Sequence, residues 1–90
     1  MAAEAVMLNL LATVRAELGT LSAVVRVVKV VVFVSSTPAF TEQHVVANGG
    51  TDLLVRAFGE EVGRPSRSAV GVAALPLGFA VEIEAVLETT

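Results

Sequence analysis

Arg67 and Glu82 are the residues whose type and placement make chemistry most plausible, with Glu84 beside them. Arg67 stands at the entrance of a Val- and Ala-rich segment, and Glu82 opens the last alternating segment on the side opposite Val81 and Ile83. Carboxylates on a face covered by another subunit would have to be paired or used, because an unpaired buried charge is costly. Solvent exposure, or a purely structural salt bridge, is the alternative for all three. Other chemistries find less support. His44 is the only histidine and there are no cysteines, so neither a zinc site nor a thiolate nucleophile can be assembled. Glu60-Glu61 reads as a solvated pair in a loop rather than a cation site. His44, Asp52 and a serine could formally make a triad, but no nucleophile elbow accompanies them. The glycines fall in no phosphate-loop spacing. The expectation from these residues is a site without metal.

These residues must be held by a small number of elements. From Ala3 to Leu18, the spacing of Met7, Leu10, Leu11, Val14 and Leu18 predicts an amphipathic helix, ended by Gly19 in a left-handed conformation. Val24–Ser35 is β-branched almost throughout and predicts a strand. Past Lys29 both of its faces are apolar, so helices of this domain cover one and a neighbouring subunit is the simplest cover for the other. A second helix is expected from near Pro38 to Phe58, with Thr41 as N-cap, Glu42 in its first turn, and Val45, Val46, Leu53, Leu54 and Phe58 facing inward. Gly49-Gly50 within it implies a kink or close helix packing. Gly59–Ser66 reads as a loop. Strands Ser68–Ala74 and Ala80–Leu87 then flank the turn Leu75–Phe79. The final strand alternates, with Val81, Ile83, Ala85 and Leu87 on one side and Glu82, Glu84, Val86 and Glu88 on the other. The order is αβαββ, an α+β layer with two helices on one sheet face.

Paired as a simple hairpin, with Ala74 opposite Val81, the last two strands would set Arg67 opposite Glu88. Glu82 would then lie six residues along, roughly 20 Å away. Arg67 and Glu82 could cooperate in that arrangement only between different chains.

Composition narrows the partners. The 90 residues make one domain and carry six Lys plus Arg against nine Asp plus Glu, net −3, which argues against nonspecific nucleic-acid or anionic-membrane binding. With 54% hydrophobic residues the chain has more apolar surface than a monomer of this size hides easily, so assembly is expected. The apolar run from Val24 to Val34 contains Arg26 and Lys29 and is far short of the roughly 20 residues of a membrane span. The opening MAAEAVMLNLL has no basic n-region, so the expected location is the cytoplasm.

The segment Pro65-Ser66-Arg67-Ser68-Ala69-Val70-Gly71-Val72-Ala73-Ala74-Leu75-Pro76, followed by Val81-Glu82-Ile83-Glu84-Ala85, resembles the signature of the RidA/YjgF family, formerly called L-PSP endoribonucleases or translation inhibitors. The stretch Val28–Val34 and Pro38-Ala39-Phe40 is similar to that family's middle strand and the start of its second helix. The resemblance implies a chorismate-mutase-like α+β fold, assembled as a homotrimer with clefts between subunits. It also implies an activity like that of 2-iminobutanoate/2-iminopropanoate deaminases, hydrolysing the enamines and imines released by pyridoxal-phosphate enzymes to 2-oxo acids and ammonia. In such a site Arg67 would grip the substrate carboxylate and Glu82 would orient or deprotonate the attacking water. No cofactor is implied, because an imine carbon is already electrophilic.

Relative to the family, the chain is expected to lack the N-terminal strands, and Ala69 stands where some active deaminases carry cysteine. Asn48 and His44 both compete for the position of a family asparagine. A noncatalytic trimer binding a small carboxylate through Arg67 is the second reading. An endoribonuclease ranks last, given the acidic balance and the lack of Tyr and Trp for base stacking.

Overall fold

A computed structural model describes residues 2–90. The elements follow the expected order: α1 (Ala2–Leu18), β1 (Val24–Ser35), α2 (Gln43–Gly63), β2 (Ser66–Val72) and β3 (Val81–Thr89), with short 3-10 turns at Leu21–Ala23 and Pro76–Gly78. Helix α1 ends as its sequence requires. Gly19 takes a φ of 80° and its N–H donates to the Arg15 carbonyl at 2.8 Å, satisfying one of the last free carbonyls.

The hairpin expectation fails. The sheet order is β2-β1-β3, so the last two strands never pair. β1 lies between them, parallel to β2 and antiparallel to β3. The segment Ala73–Ala80 crosses the end of β1 instead of turning tightly, and is held there by bonds from Ser35 N–H to Ala80 O at 2.9 Å and from Ser36 N–H to Val72 O at 3.0 Å. The most apolar strand thus takes the central position, where both its edges are bonded.

Alternation in β1 is also less regular than an even–odd reading suggests. Register shifts against β3 fall between Val24 and Arg26 and between Val27 and Lys29. Val24, Val27, Val30, Val32 and Val34 are therefore the buried residues, across a change of parity. With Ala3, Met7, Leu11, Ala47, Leu54 and Val81 they form the core beneath the two helices. Each large side chain sealed there contributes about 1.5–3 kcal/mol.

Helix α2 departs from expectation at both ends. It begins at Gln43, with Glu42 as an N-cap that makes no side-chain bond, so neither Thr41 capping nor a start near Pro38 holds. Pro38 and Phe40 belong to the preceding loop. Its far end runs past Phe58 into the segment expected to be a loop, broken at Gly59 (φ 85°, ψ 169°) and resuming to Gly63. Val45 is 46% exposed and does not face inward, whereas Leu54 is buried. Gly50 allows close packing: a Cβ there would sit 3.4 Å from Ala3 O, Met7 Cε and Ile83 Cδ1, where α1, α2 and β3 meet. β2 begins two residues earlier than expected, which takes Arg67 inside the strand. β3 keeps its predicted alternation, with Val81 buried, Ile83, Ala85 and Leu87 half-buried, and the glutamates exposed.

Candidate functional site

Arg67 is positioned by pairing with Val30 in the parallel ladder. Val30 is fully buried beneath the helices, so Arg67 shares the helix-covered side of the sheet. Since β2 is an edge strand, its side chain reaches outward along α2. There Nη1 donates to Asn48 Oδ1 at 2.8 Å and to Thr51 Oγ1 at 3.1 Å. Asn48 and Thr51 are three residues apart on a helix and so share a face, with Asp52 adjoining. Thr51 Oγ1 in turn donates to the Ala47 carbonyl at 3.4 Å. Sequence alone left Asn48 and His44 as rivals; the contact is made by Asn48, and His44 is exposed one turn earlier.

Around this arginine lies a cavity of about 200 Å³ lined by Asn48, Thr51, Asp52, Val55, Arg64, Pro65 and Arg67. Its charges are not equivalent. Arg64 is neutralised by Glu60 across one helical turn, Nε to Oε2 at 2.7 Å. That bond and the Arg64 charge hold the Glu60 carboxyl below its ordinary range, while Glu60 raises Arg64. The other ion pairs among the described residues are Arg26–Glu88 at 3.6 Å and Arg56–Glu4 at 3.2 Å. Arg67 has no carboxylate partner among the described residues. A cation held by neutral acceptors at the wall of a cavity is suited to receive an anion from outside.

Glu82 lies elsewhere. It pairs with Phe33, on the side of the sheet facing away from the helices, and is exposed. Arg67 and Glu82 sit on strands either side of β1, three residues apart in register, roughly 14 Å apart in the plane of the sheet. They project to opposite sides, so one chain does not bring them together. The outward side carries Val31, Phe33, Val70 and Val86 beside Glu82, Glu84 and Glu88, with Val70 and Val86 at 41% and 52% exposure. Ala69, two residues after Arg67, pairs with the buried Val32 and faces the helices.

A second, larger cleft of about 770 Å³ lies at the end of β1 among Ser35, Ser36, Thr37, Phe40, Gln43 and Gly71. Gln43 Nε2 donates to the Phe40 carbonyl at 2.8 Å and to Ser36 Oγ at 3.4 Å. Gly71 lies beneath it: a Cβ there would come within 2.7 Å of Gln43 Nε2 and 2.8 Å of Ser36 Oγ, so a larger residue would displace these two side-chain ends. No charged side chain lines this cleft, whereas Asp52, Arg64 and Arg67 line the smaller one. Sequence reasoning missed Thr51, Asp52 and Arg64 as neighbours of Arg67. The i, i+3, i+4 spacing of Asn48, Thr51 and Asp52 was the available signal. Among the described residues no group of His, Asp and Glu side chains could hold a metal ion, and no helix is long and apolar enough to cross a membrane.

Comparison with known proteins places the chain and its fold in a wider group. Residues 2–89 match the family described as Endoribonuclease L-PSP. The chain is 56% identical over 87 residues to Protein TCP17 of Trypanosoma cruzi, covering 97% of this chain and 54% of that protein. The crystal structure of Atu1372 from Agrobacterium tumefaciens, of unknown function, superposes with a TM-score of 0.95 at 48% identity, covering 99% of this chain and 57% of that one. A Shewanella oneidensis protein described as a "putative endoribonuclease" superposes with a TM-score of 0.89 at 24% identity, over 96% and 56% of the two chains, and bears on the fold alone. The chain thus spans little more than half the length of these relatives. Two helices on a three-stranded mixed sheet give the α+β, chorismate-mutase-like fold of these neighbours, and the chain belongs to the Endoribonuclease L-PSP family, also called RidA/YjgF.

Proposed function

We propose that this chain hydrolyses reactive enamines and imines to 2-oxo acids and ammonia, in clefts formed where copies of it meet as a homotrimer. The observation that supports this most is the guanidinium of Arg67, held by Asn48 and Thr51 and lacking a carboxylate partner among the described residues. In this reading Arg67 binds the carboxylate of a 2-imino acid. Glu82 from a neighbouring copy takes a proton from water as the water oxygen bonds to the imine carbon. Glu82 passes that proton to the nitrogen, giving a carbinolamine; the hydroxyl proton then moves to the nitrogen, the C–N bond breaks, and ammonia leaves as the carbonyl forms. The placement of Arg67 and Glu82 on opposite sides of one sheet favours a site shared between copies. The apolar outward side supplies a surface for the contact. A cytoplasmic location goes with this reading, alongside the pyridoxal-phosphate enzymes that would release the substrate.

The same placement favours a second reading if no neighbour brings its glutamate to the arginine: a noncatalytic trimer that binds small carboxylates through Arg67. Imines generated in place from an amino acid, with 2-oxo acid followed through a dehydrogenase, separate the two. The Arg67→Ala chain is expected to lose about 100-fold or more in kcat/KM, since a charge-assisted bidentate contact is removed. An unchanged rate removes Arg67 from the site. Imine loss no faster than in buffer, combined with thermal protection by 2-oxobutanoate, selects the binding reading.

A further inference from the structure

We propose that Thr51 is a positioning residue which, with Asn48, pins Nη1 of Arg67 and leaves the Nε–Nη2 edge as the one that receives a carboxylate. This inference rests on the reading of Arg67 as an anion grip and specifies how the grip is set. A guanidinium has five N–H groups, two of them on Nη1. Both acceptors found for Arg67 address Nη1, Asn48 Oδ1 at 2.8 Å and Thr51 Oγ1 at 3.1 Å. With the Nη1 hydrogens engaged, the end-on fork between Nη1 and Nη2 is closed to a ligand. The side-on fork, one hydrogen from Nε and one from Nη2, stays open.

The hydroxyl of Thr51 is suited to this task by its own bond. It donates its single hydrogen to the Ala47 carbonyl at 3.4 Å, so toward Arg67 it presents only lone pairs. A valine of the same shape would keep the packing and lose the acceptor, whereas serine would keep the acceptor. The effect is entropic as well as directional. Arginine on an edge strand would otherwise sample many rotamers, and fixing it before the ligand arrives lowers the ordering cost of binding. A carboxylate held side-on would share the cavity that Asp52, Val55, Arg64 and Pro65 also line.

Side-chain nitrogen NMR of Arg67, with 2-oxobutanoate as the probe, tests this directly. In the ligand-free chain, Thr51→Val is expected to raise the mobility of the Arg67 Nε–H group, and Thr51→Ser to restore it. On titration the wild-type Nε–H resonance moves with saturation, and Thr51→Val weakens binding roughly tenfold, with Thr51→Ser within about twofold of wild type. A ligand that shifts the Nη protons while leaving Nε–H in place overturns the side-on assignment. Equal Nε mobility and equal affinity in wild type and Thr51→Val overturn the role of Thr51. If Arg67→Ala abolishes binding while Thr51→Val does not weaken it, the anion grip survives and only this inference fails. If the wild-type chain does not bind 2-oxobutanoate at all, the grip itself fails, and the free-state mobility comparison still decides whether Thr51 pins the arginine.

Discussion

Valine supplies most of both sides of the central strand, yet the two sides of the sheet meet different surroundings. On the helix-covered side Val27, Val30 and Val32 are buried in one cluster with Met7 and Leu54, and Arg67 at its margin is held by side chains of α2. On the outward side Val31, Phe33, Val70 and Val86 remain partly or largely exposed, interleaved with Glu82, Glu84 and Glu88 and with Arg26 and Lys29. The first side carries the stability of the single chain. The second has the mixture of apolar centre and charged border that suits association. Similar side chains are therefore core beneath the helices and partly exposed on the opposite side.

Cutting into the covered side should have the largest effect. Leu54→Ala removes a fully buried side chain between α2 and the sheet, and a loss of about 2–5 kcal/mol is expected in denaturant unfolding, independent of protein concentration. A loss below about 1 kcal/mol would mean the core is not where the buried set places it. Phe33→Asp on the outward side probes the opposite property. It sets a carboxylate beside Glu82 in the ladder, and like charges directly opposite repel. Mass measured by light scattering should fall to that of one chain, with the far-ultraviolet spectrum retained. An unchanged mass would exclude this side as the contact.

The smallest expected effect lies on neither side. Glu60 and Arg64 are fully exposed and pair along α2. Because the folded Glu60 carboxyl is held below its ordinary value of 4.5, the pair's contribution is present above that pH and is lost as pH falls through the lowered value. Acid titration of stability should be slightly shallower in Glu60→Gln than in wild type, and less distinguishable in high salt. A large difference at neutral pH would assign the pair a structural importance its exposure does not support.

The contrast between the sides was partly legible in the sequence. β3 could be read residue by residue, because glutamates alternate with aliphatic residues and mark the period of two. β1 could be recognised as a strand with two apolar sides, but its two register shifts could not, since consecutive valines give no polar contrast to reveal a change of parity. The sheet order was lost for a different reason. A proline-containing segment between two strands suggests a hairpin locally, whereas the central place of β1 is decided by burying the most apolar strand on both edges. Helix α2 was misplaced at its ends because Thr41 and Glu42 look like a cap, and because helical residues resume beyond the left-handed Gly59. Arg67 was visible through its motif. Asn48 was one of two candidates and Thr51 was not among them; that both meet Arg67 is evident only when α2 is laid along β2, and the separation of Arg67 from Glu82 onto opposite sides required the true strand order.

That separation is the basis of the central claim, that the reactive pair is completed between copies. Mixing two inactive chains tests it most directly. Arg67→Ala retains Glu82, Glu82→Gln retains Arg67, and each alone should be inactive in imine hydrolysis. Unfolded together and refolded as mixed assemblies, they should recover about a quarter of wild-type activity, the fraction of boundaries at which an intact arginine meets an intact glutamate in a random mixture. Mixed assemblies as inactive as either parent, formed from chains that each still associate, would contradict a shared site.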